Sequence, residues 1–501
     1  MSSDAGTTLG ELVRLVPTLL RFLPPDGLAN LLATSTQLRE PVQTFVTDIT
    51  VPRGVDAVTS QLLSPGKWPQ LRKLKLRDTA SQLSWWPCNG SWSSLKHLDL
   101  SGSMLGVKGA ERLQSCALPQ LTSLNLLYTR LDTAAITFLT KADWPVLESL
   151  NLLNNGLSIE QLEQLCHGKW PRLRELILQC NRIDADAVAW LVTAQWPMLQ
   201  ILDLGRNQPF FSAKAVEVLI SGPWPLLQDL HLNWNQLDRH AITCLAVHQW
   251  PLLRLLDMSL NYLDRMAISE LINVPLQGLH TLRLCNNLSV TFGEEVIAVL
   301  AKGQWPRLAT LNLGRSNLDS MTASCLVKGD SPNLEQLSVS QCELGAAGMR
   351  ELVKGNWPLL RRLTIGHNVI DAAAMSHLSK CQWAVLEELD LSCNKLDTTC
   401  MRYLVNMRLP LLKVLRLIMT DLDEEALRQL LKGDWTLLHT FYVSGVHMSE
   451  AALSALCNEF ISSSPMTLST AFEAFTRLCR QLWPRLTDTY EWVIDISMLV
   501  E

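Results

Sequence analysis

A row of polar residues in the middle of the chain could support acid–base chemistry. Asp203, His231, Asp257 and Arg283 follow one another at steps of 28, 26 and 26 residues. A histidine between two carboxylates is held in one orientation, and its charged form is favoured. The sequence offers no nucleophile at a fixed partner position, so we expect a site that binds rather than an enzyme. Whether these side chains meet at all depends on the elements that carry them.

The spacing of that row is the spacing of a repeat. A Leu-x-x-Leu-x-Leu triplet, such as Leu173, Leu176 and Leu178, occurs 15 times, usually in steps of 26 residues. Apolar residues at alternate positions of a short run predict a strand with one buried face. The triplets begin at positions 71, 95, 121, 147, 173, 199, 227, 253, 279, 308, 334, 360, 386, 412 and 438.

Other residues that active sites favour recur with the same period. Asn181 has counterparts after most strands, where its side chain can bond the turning backbone. Asp184 precedes Ala-rich helix formers in the manner of a helix N-cap. The Trp170-Pro171 pair ends the helix and supplies a large apolar ring for packing against the next repeat. Their recurrence indicates scaffold roles rather than chemistry.

The pattern resembles the leucine-rich repeat family, in particular its helix-containing, ribonuclease-inhibitor-like class, over residues 67–450. The resemblance implies an α/β solenoid of about 15 repeats of about 26 residues. Because strands stack about 4.8 Å apart and helices about 10 Å apart, we expect a horseshoe with a parallel concave sheet and convex helices. In such a fold the row of polar side chains lies on the concave face, with neighbours about 5 Å apart.

Two features next to the row strengthen a binding interpretation. Arg206 and Trp234 should lie close together just past neighbouring strands, and both residue types are enriched at binding hot spots. A lengthened repeat, GRNQPFFSAK, has Phe210 and Phe211 where other copies have Leu-Asp, and insertions in solenoids often mark a binding rim. The alternative is that one of these phenylalanines replaces the usual buried Leu. The predicted protein-binding site comprises Asp203, Arg206, Phe210, Phe211, His231, Trp234, Asp257 and Arg283.

The segments outside the repeat are predicted to be helical caps, at residues 1–60 and 451–501. The first resembles a degenerate F-box, which implies binding to the adaptor subunit of cullin-based ubiquitin ligases. Leu38 stands where that family usually has Trp. The adaptor-binding residues implied by the resemblance are Pro17, Leu19, Leu20, Leu23, Leu28, Leu31 and Leu32.

Composition narrows the classes of partner. The net charge of −5 and a pI near 6.1 argue against non-specific nucleic-acid binding. The 13 cysteines show neither metal-site spacing nor CxxC pairs, so we expect no metal or cofactor and reduced thiols in the cytoplasm or nucleus. The sequence contains no run of about 18 apolar residues, so we expect no membrane span.

Three functional hypotheses remain open at this level. The first is a non-enzymatic protein-recognition scaffold, in one version the substrate receptor of an F-box-type ubiquitin ligase. The second is a GTPase-activating protein of the Ran type, although the acidic C-terminal region usual in that family is missing. The third is a structural, cytoskeletal or immune-type repeat scaffold. Fold alone does not separate them.

Overall fold

The computed structural model describes most of the repeat region. The chain divides into two compact units, Met1–Gln236 and Leu237–Glu501. Each unit is described by itself. The described residues are 46–51, 68–76, 91–207, 210–287, 297, 298, 300–303, 305–316, 318–329, 331–381, 383–420 and 422–443.

The first unit contains a parallel sheet whose strands pair in chain order. Its strands are β1 Asp48–Val51, β2 Lys73–Leu76, β3 His97–Asp99, β4 Ser123–Asn125, β5 Ser149–Asn151, β6 Glu175–Ile177, β7 Ile201–Asp203 and β8 Asp229–His231. Its described helices are α1 Gly106–Ser115, α2 Thr133–Thr140, α3 Ile159–Cys166, α4 Ala185–Thr193 and α5 Ala213–Leu219.

The second unit repeats this plan, again with parallel strands paired in chain order. Its strands are β9 Leu255–Asp257, β10 Thr281–Arg283, β11 Thr310–Asn312, β12 Gln336–Ser338, β13 Arg362–Thr364, β14 Glu388–Asp390, β15 Val414–Leu417 and β16 Thr440–Val443. Its described helices are α6 Arg239–Val247, α7 Arg265–Leu271, α8 Ser320–Val327, α9 Gly345–Leu352, α10 Ala372–Leu378, α11 Thr398–Val405 and α12 Glu424–Leu430.

The core of each unit is built from the leucine triplets. In the copy at β6, Leu173, Leu176 and Leu178 are all fully buried, as are Val188 and Leu191 of helix α4 in the same repeat. The residues flanking the central leucine, Glu175 and Ile177 in this copy, remain partly exposed. We call this outward side of each unit's sheet the open face, and the side chains that flank each strand's central residue define it.

The recurring asparagines form the ladder that the sequence predicts. The Asn181 side chain donates to the carbonyls of Leu178 (2.9 Å) and Leu152 (3.1 Å). Its Oδ1 accepts the backbone N–H groups of Asn155 and Leu157, both at 3.1 Å. Each asparagine therefore satisfies buried turn amides of its own repeat and its neighbour, which would otherwise be left unpaired.

The recurring aspartates are helix N-caps, as predicted. Asp184 Oδ1 accepts the backbone N–H of Ala187 at 2.9 Å. This bond satisfies one of the amides that the first turn of a helix leaves without a partner. The same bond is made at the start of seven other helices, by Asp132, Asp238, Asp264, Asp319, Asp371, Asp397 and Asp423.

The in-frame tryptophans pack between repeats. Trp170 is 1% exposed and stacks on Trp144 and Trp196, with ring centroids 6.5 Å and 6.3 Å apart. Its ring lies directly over Gly168, where a Cβ atom would come within 2.6 Å of the ring carbons. The glycine two residues before this tryptophan is therefore part of the same packing arrangement. All 11 in-frame tryptophans are buried.

The α/β leucine-rich-repeat solenoid predicted from the sequence is confirmed, and one strand lies outside the predicted repeat region. Strand β1 falls within the segment assigned to the N-terminal cap and extends the sheet by pairing with β2. The adaptor-binding residues of the F-box resemblance and the C-terminal cap at 451–501 lie outside the described residues.

Candidate protein-binding surface

The residue directly before each ladder asparagine, or before the residue that replaces it, has a left-handed backbone and points its side chain away from the core. Arg206 has a φ of 52° and Trp234 a φ of 58°. Left-handed geometry costs a residue with a side chain about 1–2 kcal/mol, so the turn is imposed by the surrounding repeat. The side chains at this position differ between repeats, in contrast to the asparagines that follow them.

Arg206 and Trp234, which the sequence placed one repeat apart beside the polar row, stack on each other. The guanidinium carbon of Arg206 lies 4.4 Å from the ring centroid of Trp234, within cation–π distance. Arg206 is exposed and Trp234 is half-buried, whereas every in-frame tryptophan is buried. The pair thus places a rigid aromatic surface and a fixed cation at the edge of the first unit's open face.

The carboxylate of Asp203 is committed to the turn that follows its strand. Its Oδ1 accepts the backbone N–H of Gly205 at 2.9 Å. Gly205 in turn packs against Asn233, whose side chain would lie 2.6 Å from an added Cβ atom. Asp203 is in register with His231 on the neighbouring strand. Asp203 Oδ1 is therefore the acceptor of an Asx turn.

The same bond to the amide two residues ahead recurs along the sheet, which the sequence reading missed. Asp or Asn at the end of a strand makes it in both units. The acceptors are Asp99, Asn125, Asn151, Asp203, Asp257, Asn312 and Asp390. Their shared position in the repeat was the signal that could have identified them.

The second unit holds the other two members of the predicted row. Asp257 is 8% exposed, and its Oδ1 accepts the Ser259 N–H at 3.0 Å. Its Oδ2 lies 3.5 Å from an Nη atom of Arg283, which is in register on the next strand. This long, half-exposed ion pair has little energetic weight. Asp257 is thus a turn residue with a neighbouring arginine.

The two phenylalanines of the lengthened repeat differ in burial. Phe211 is fully buried and fills the place of the usual leucine, so it belongs to the core and cannot contact a partner. Phe210 is 44% exposed beside the strand ends of the first unit. Of the predicted rim pair, only Phe210 remains a candidate contact residue.

A groove in the second unit lies among residues that the sequence reading did not select. Its volume is about 900 Å³, and Arg315, His367, Val369 and Lys395 contribute to its wall. Val369 is 73% exposed with a φ of 53°, an unfavourable conformation for a β-branched residue. The repeat pattern gives this position no distinguishing residue type, because Gly156 and Glu343 also occupy it with positive φ.

The cysteines of the described part of the chain are partly or fully buried thiols. Burial raises the pKa of Cys166 to about 12 and that of Cys342 to about 11. Burial also raises the pKa of Cys180, with Arg206 acting in the opposite direction. These thiols therefore remain protonated near neutral pH. Within the described ranges, no group of three or more His, Cys, Asp or Glu side chains could hold a metal ion.

These features are those of an α/β leucine-rich-repeat fold. Residues 330–353 match the profile of a family described as "Leucine Rich repeat". A search of the curated proteins finds no match. Similar solved structures include the yeast Rad7–Elc1 complex, at 17% identity over 61% of this chain and 77% of that chain, with a TM-score of 0.43. They also include the TLR13–ssRNA13 complex, at 17% identity over 85% and 75%, with the same TM-score. No helix among the described residues is both long and apolar enough to cross a bilayer.

Proposed function

We propose that this protein is a non-enzymatic recognition scaffold that binds a protein ligand through the open face of its first unit. The contact surface is centred on Arg206 and Trp234, with His231 and Phe210 beside them. The observation that carries the proposal is the stacked Arg206–Trp234 pair, 4.4 Å apart at an exposed edge. Tryptophan and arginine contribute more to protein interfaces than other residue types do.

The contrast between recurring and variable residues supports this location. The turn and cap residues recur along the chain, and their side chains accept backbone N–H groups, as those of Asp203 and Asp184 do. Trp234 differs from them, because it is out of frame with the buried tryptophan column and half-buried at the surface. A pre-stacked pair also loses little side-chain entropy on binding, which favours affinity.

The central test compares partner capture by the whole chain and by a variant carrying Arg206→Ala and Trp234→Ala. Affinity purification or proximity labelling provides the readout. A matched control removes the same two residue types elsewhere in the first unit, with Arg182→Ala and Trp190→Ala; Arg182 is exposed and Trp190 is half-buried. We expect the first variant to lose a partner that the control retains. Retention of every partner by the first variant would contradict the proposal.

A finer version of the proposal makes the protein a substrate receptor of a ubiquitin ligase. The resemblance of residues 17–42 to an F-box supports it. In this version the N-terminal segment binds the ligase adaptor, while Arg206 and Trp234 bind the substrate. A pull-down with the full chain that recovers neither an adaptor nor a cullin subunit would remove this version. The recognition scaffold itself would remain.

A further inference from the structure

A cluster of basic side chains occupies the open face near the start of the first unit. Lys73 and Lys75 flank the central leucine of β2, and His97 lies on β3 in register with Lys73. Arg72 and Lys96 immediately precede these two strands and are exposed. We call these five residues the basic cluster.

Neighbouring members of the basic cluster are separated by about one strand spacing or two residues along a strand. Neighbouring strands are about 4.8 Å apart, and alternate residues of one strand are about 6.7 Å apart. The positive charge of this cluster affects the pKa of His97. Its pKa is lowered first by partial burial and then by Lys73, and Lys96 acts in the same direction, while Asp48 opposes them. The local charge around this imidazole is therefore predominantly positive.

The nearest carboxylates do not neutralise these lysines. Asp48 is in register with Lys73, and its Oδ2 accepts a hydrogen bond from the Thr47 hydroxyl at 2.7 Å. Asp99 is in register with Lys75 but is 8% exposed, and its Oδ1 accepts the Ser101 N–H at 3.1 Å. Within the described part of the chain, no salt bridge joins either carboxylate to Lys73 or Lys75.

The second unit shows how this chain neutralises basic residues on the same kind of sheet. Glu387 stands between Arg361 and Lys413, with carboxylate–nitrogen distances of 2.5 Å and 2.8 Å. Glu388 is in register with Arg362 and forms ion pairs with Arg362 and with Arg416 of the following strand. A glutamate thus separates the basic residues of neighbouring strands in that unit. In the basic cluster, the corresponding place beside Arg72 is taken by Lys96.

We propose that the basic cluster is a docking surface for an acidic polypeptide segment with carboxylates at alternate positions. An extended peptide repeats its side chains on one face about every 6.7 Å, which matches the separation of Lys73 from Lys75. The next strand, β4, presents Ser123, whose hydroxyl can donate a hydrogen bond to such a segment. The cluster lies about 19 Å, or four strand spacings, from β7, whose following turn carries Arg206, so it is a second surface.

The dimensions of the cluster favour a peptide over a nucleic acid. The basic side chains span only β2 and β3, and further along the open face Glu175 and Asp229 are acidic. A nucleic-acid strand that extended past the cluster would bring its phosphates towards these carboxylates. Sequence-independent nucleic-acid binding instead requires a long basic track.

The test measures binding of a fluorescein-labelled peptide of four Glu-Ser repeats to the full chain by fluorescence anisotropy at low salt. We expect binding that weakens as salt rises, and an affinity loss of about tenfold or more in Lys73→Glu plus Lys75→Glu. A control with Lys108→Glu plus Lys141→Glu changes the net charge equally at exposed positions on the helical side. This control should bind as the unmodified chain does. Lys73→Gln plus Lys75→Gln provides a milder variant if charge reversal impairs folding.

Two further measurements separate the possible occupants. The pKa of His97, followed by NMR, should rise when the acidic peptide binds, because carboxylates favour the charged imidazole. An oligothymidine that binds more tightly than the peptide would overturn the proposal in favour of nucleic acid. Equal affinities in the cluster variant and the charge-matched control would also overturn it, because binding would then depend on net charge alone. Trp234→Ala should retain peptide binding, so a failure here is distinguishable from a failure of the proposed function.

Discussion

Replacing Asn181 by alanine should cost the fold several kilocalories per mole, although this residue type is common in active sites. The side chain donates to the carbonyls of Leu152 and Leu178 and accepts the N–H groups of Asn155 and Leu157. Asn181 itself is 5% exposed. Alanine would leave the N–H groups of Asn155 and Leu157 without their acceptor, whereas each carbonyl would keep a hydrogen bond from a neighbouring ladder asparagine.

The magnitude follows from the number of groups involved. A buried donor or acceptor left without a partner costs about 1–3 kcal/mol, and relaxation or entering water recovers part of that. We therefore expect Asn181→Ala to destabilise the first unit by about 3–5 kcal/mol. Asn181→Thr should lose less stability than Asn181→Ala. Thr129 fills the same position in another repeat, and its hydroxyl donates to the Leu126 carbonyl at 2.9 Å. Asn181→Asp should be the worst, because a carboxylate cannot donate to the two carbonyls and its charge would be buried.

Urea unfolding of the full chain, combined with hydrogen exchange at individual amides, provides the assay. The amides of residues 155 and 157 should lose protection in Asn181→Ala, because their acceptor has been removed. Exchange is informative here because a chain of stacked repeats need not unfold in a single step. An unchanged urea midpoint with both amides still protected would refute the structural role assigned to the ladder.

Five other substitutions, at four positions, test the separation of structural from exposed positions. Val369→Gly should stabilise the second unit by about 0.5–1 kcal/mol in urea unfolding, because it relieves the left-handed strain of an exposed β-branched residue; a loss of stability would contradict this explanation. Asp184→Ala should cost about 1 kcal/mol while Asp184→Ser costs little, and equal losses would argue against capping. Phe211→Ala should cost about 3–5 kcal/mol and Phe210→Ala less than about 0.5 kcal/mol, a difference that calorimetry can measure.

The scaffold could be predicted from the sequence because its physical causes recur with the repeat. Trp170, Asn181 and Asp184 each perform the packing, ladder and cap roles that their spacing indicated. Each role is local or connects neighbouring repeats, so a fixed period brings the same partners together every time. The regularity of the triplets also fixed the register of the strands.

The candidate site was predicted less completely, because its side chains are defined by backbone geometry that residue types do not reveal. The sequence placed Arg206 and Trp234 one repeat apart beside the polar row, and the structure adds that they stack on each other. Asp203 and Asp257 were selected for their charge, although both carboxylates accept turn amides. The left-handed φ of Val369 and the groove around it had no signal in the repeat pattern.

Strand β1 was missed for a related reason. Asp48–Val51 carries no leucine triplet, yet it pairs in parallel with β2 along its whole length. An edge strand is stabilised by the neighbour on which it stacks, and such pairing does not require the full repeat motif. A search that requires leucine could not detect it, although Val46, Ile49 and Val51 have the spacing of the triplet.

We propose that the variable surface residues bind a partner while the recurring residues hold the fold. The most direct test measures partner affinity and unfolding temperature on the same preparations of Arg206→Ala plus Trp234→Ala. We expect a loss of affinity of about tenfold or more, with an unfolding temperature close to that of the unmodified chain. Unchanged affinity for every partner captured by the unmodified chain would contradict it.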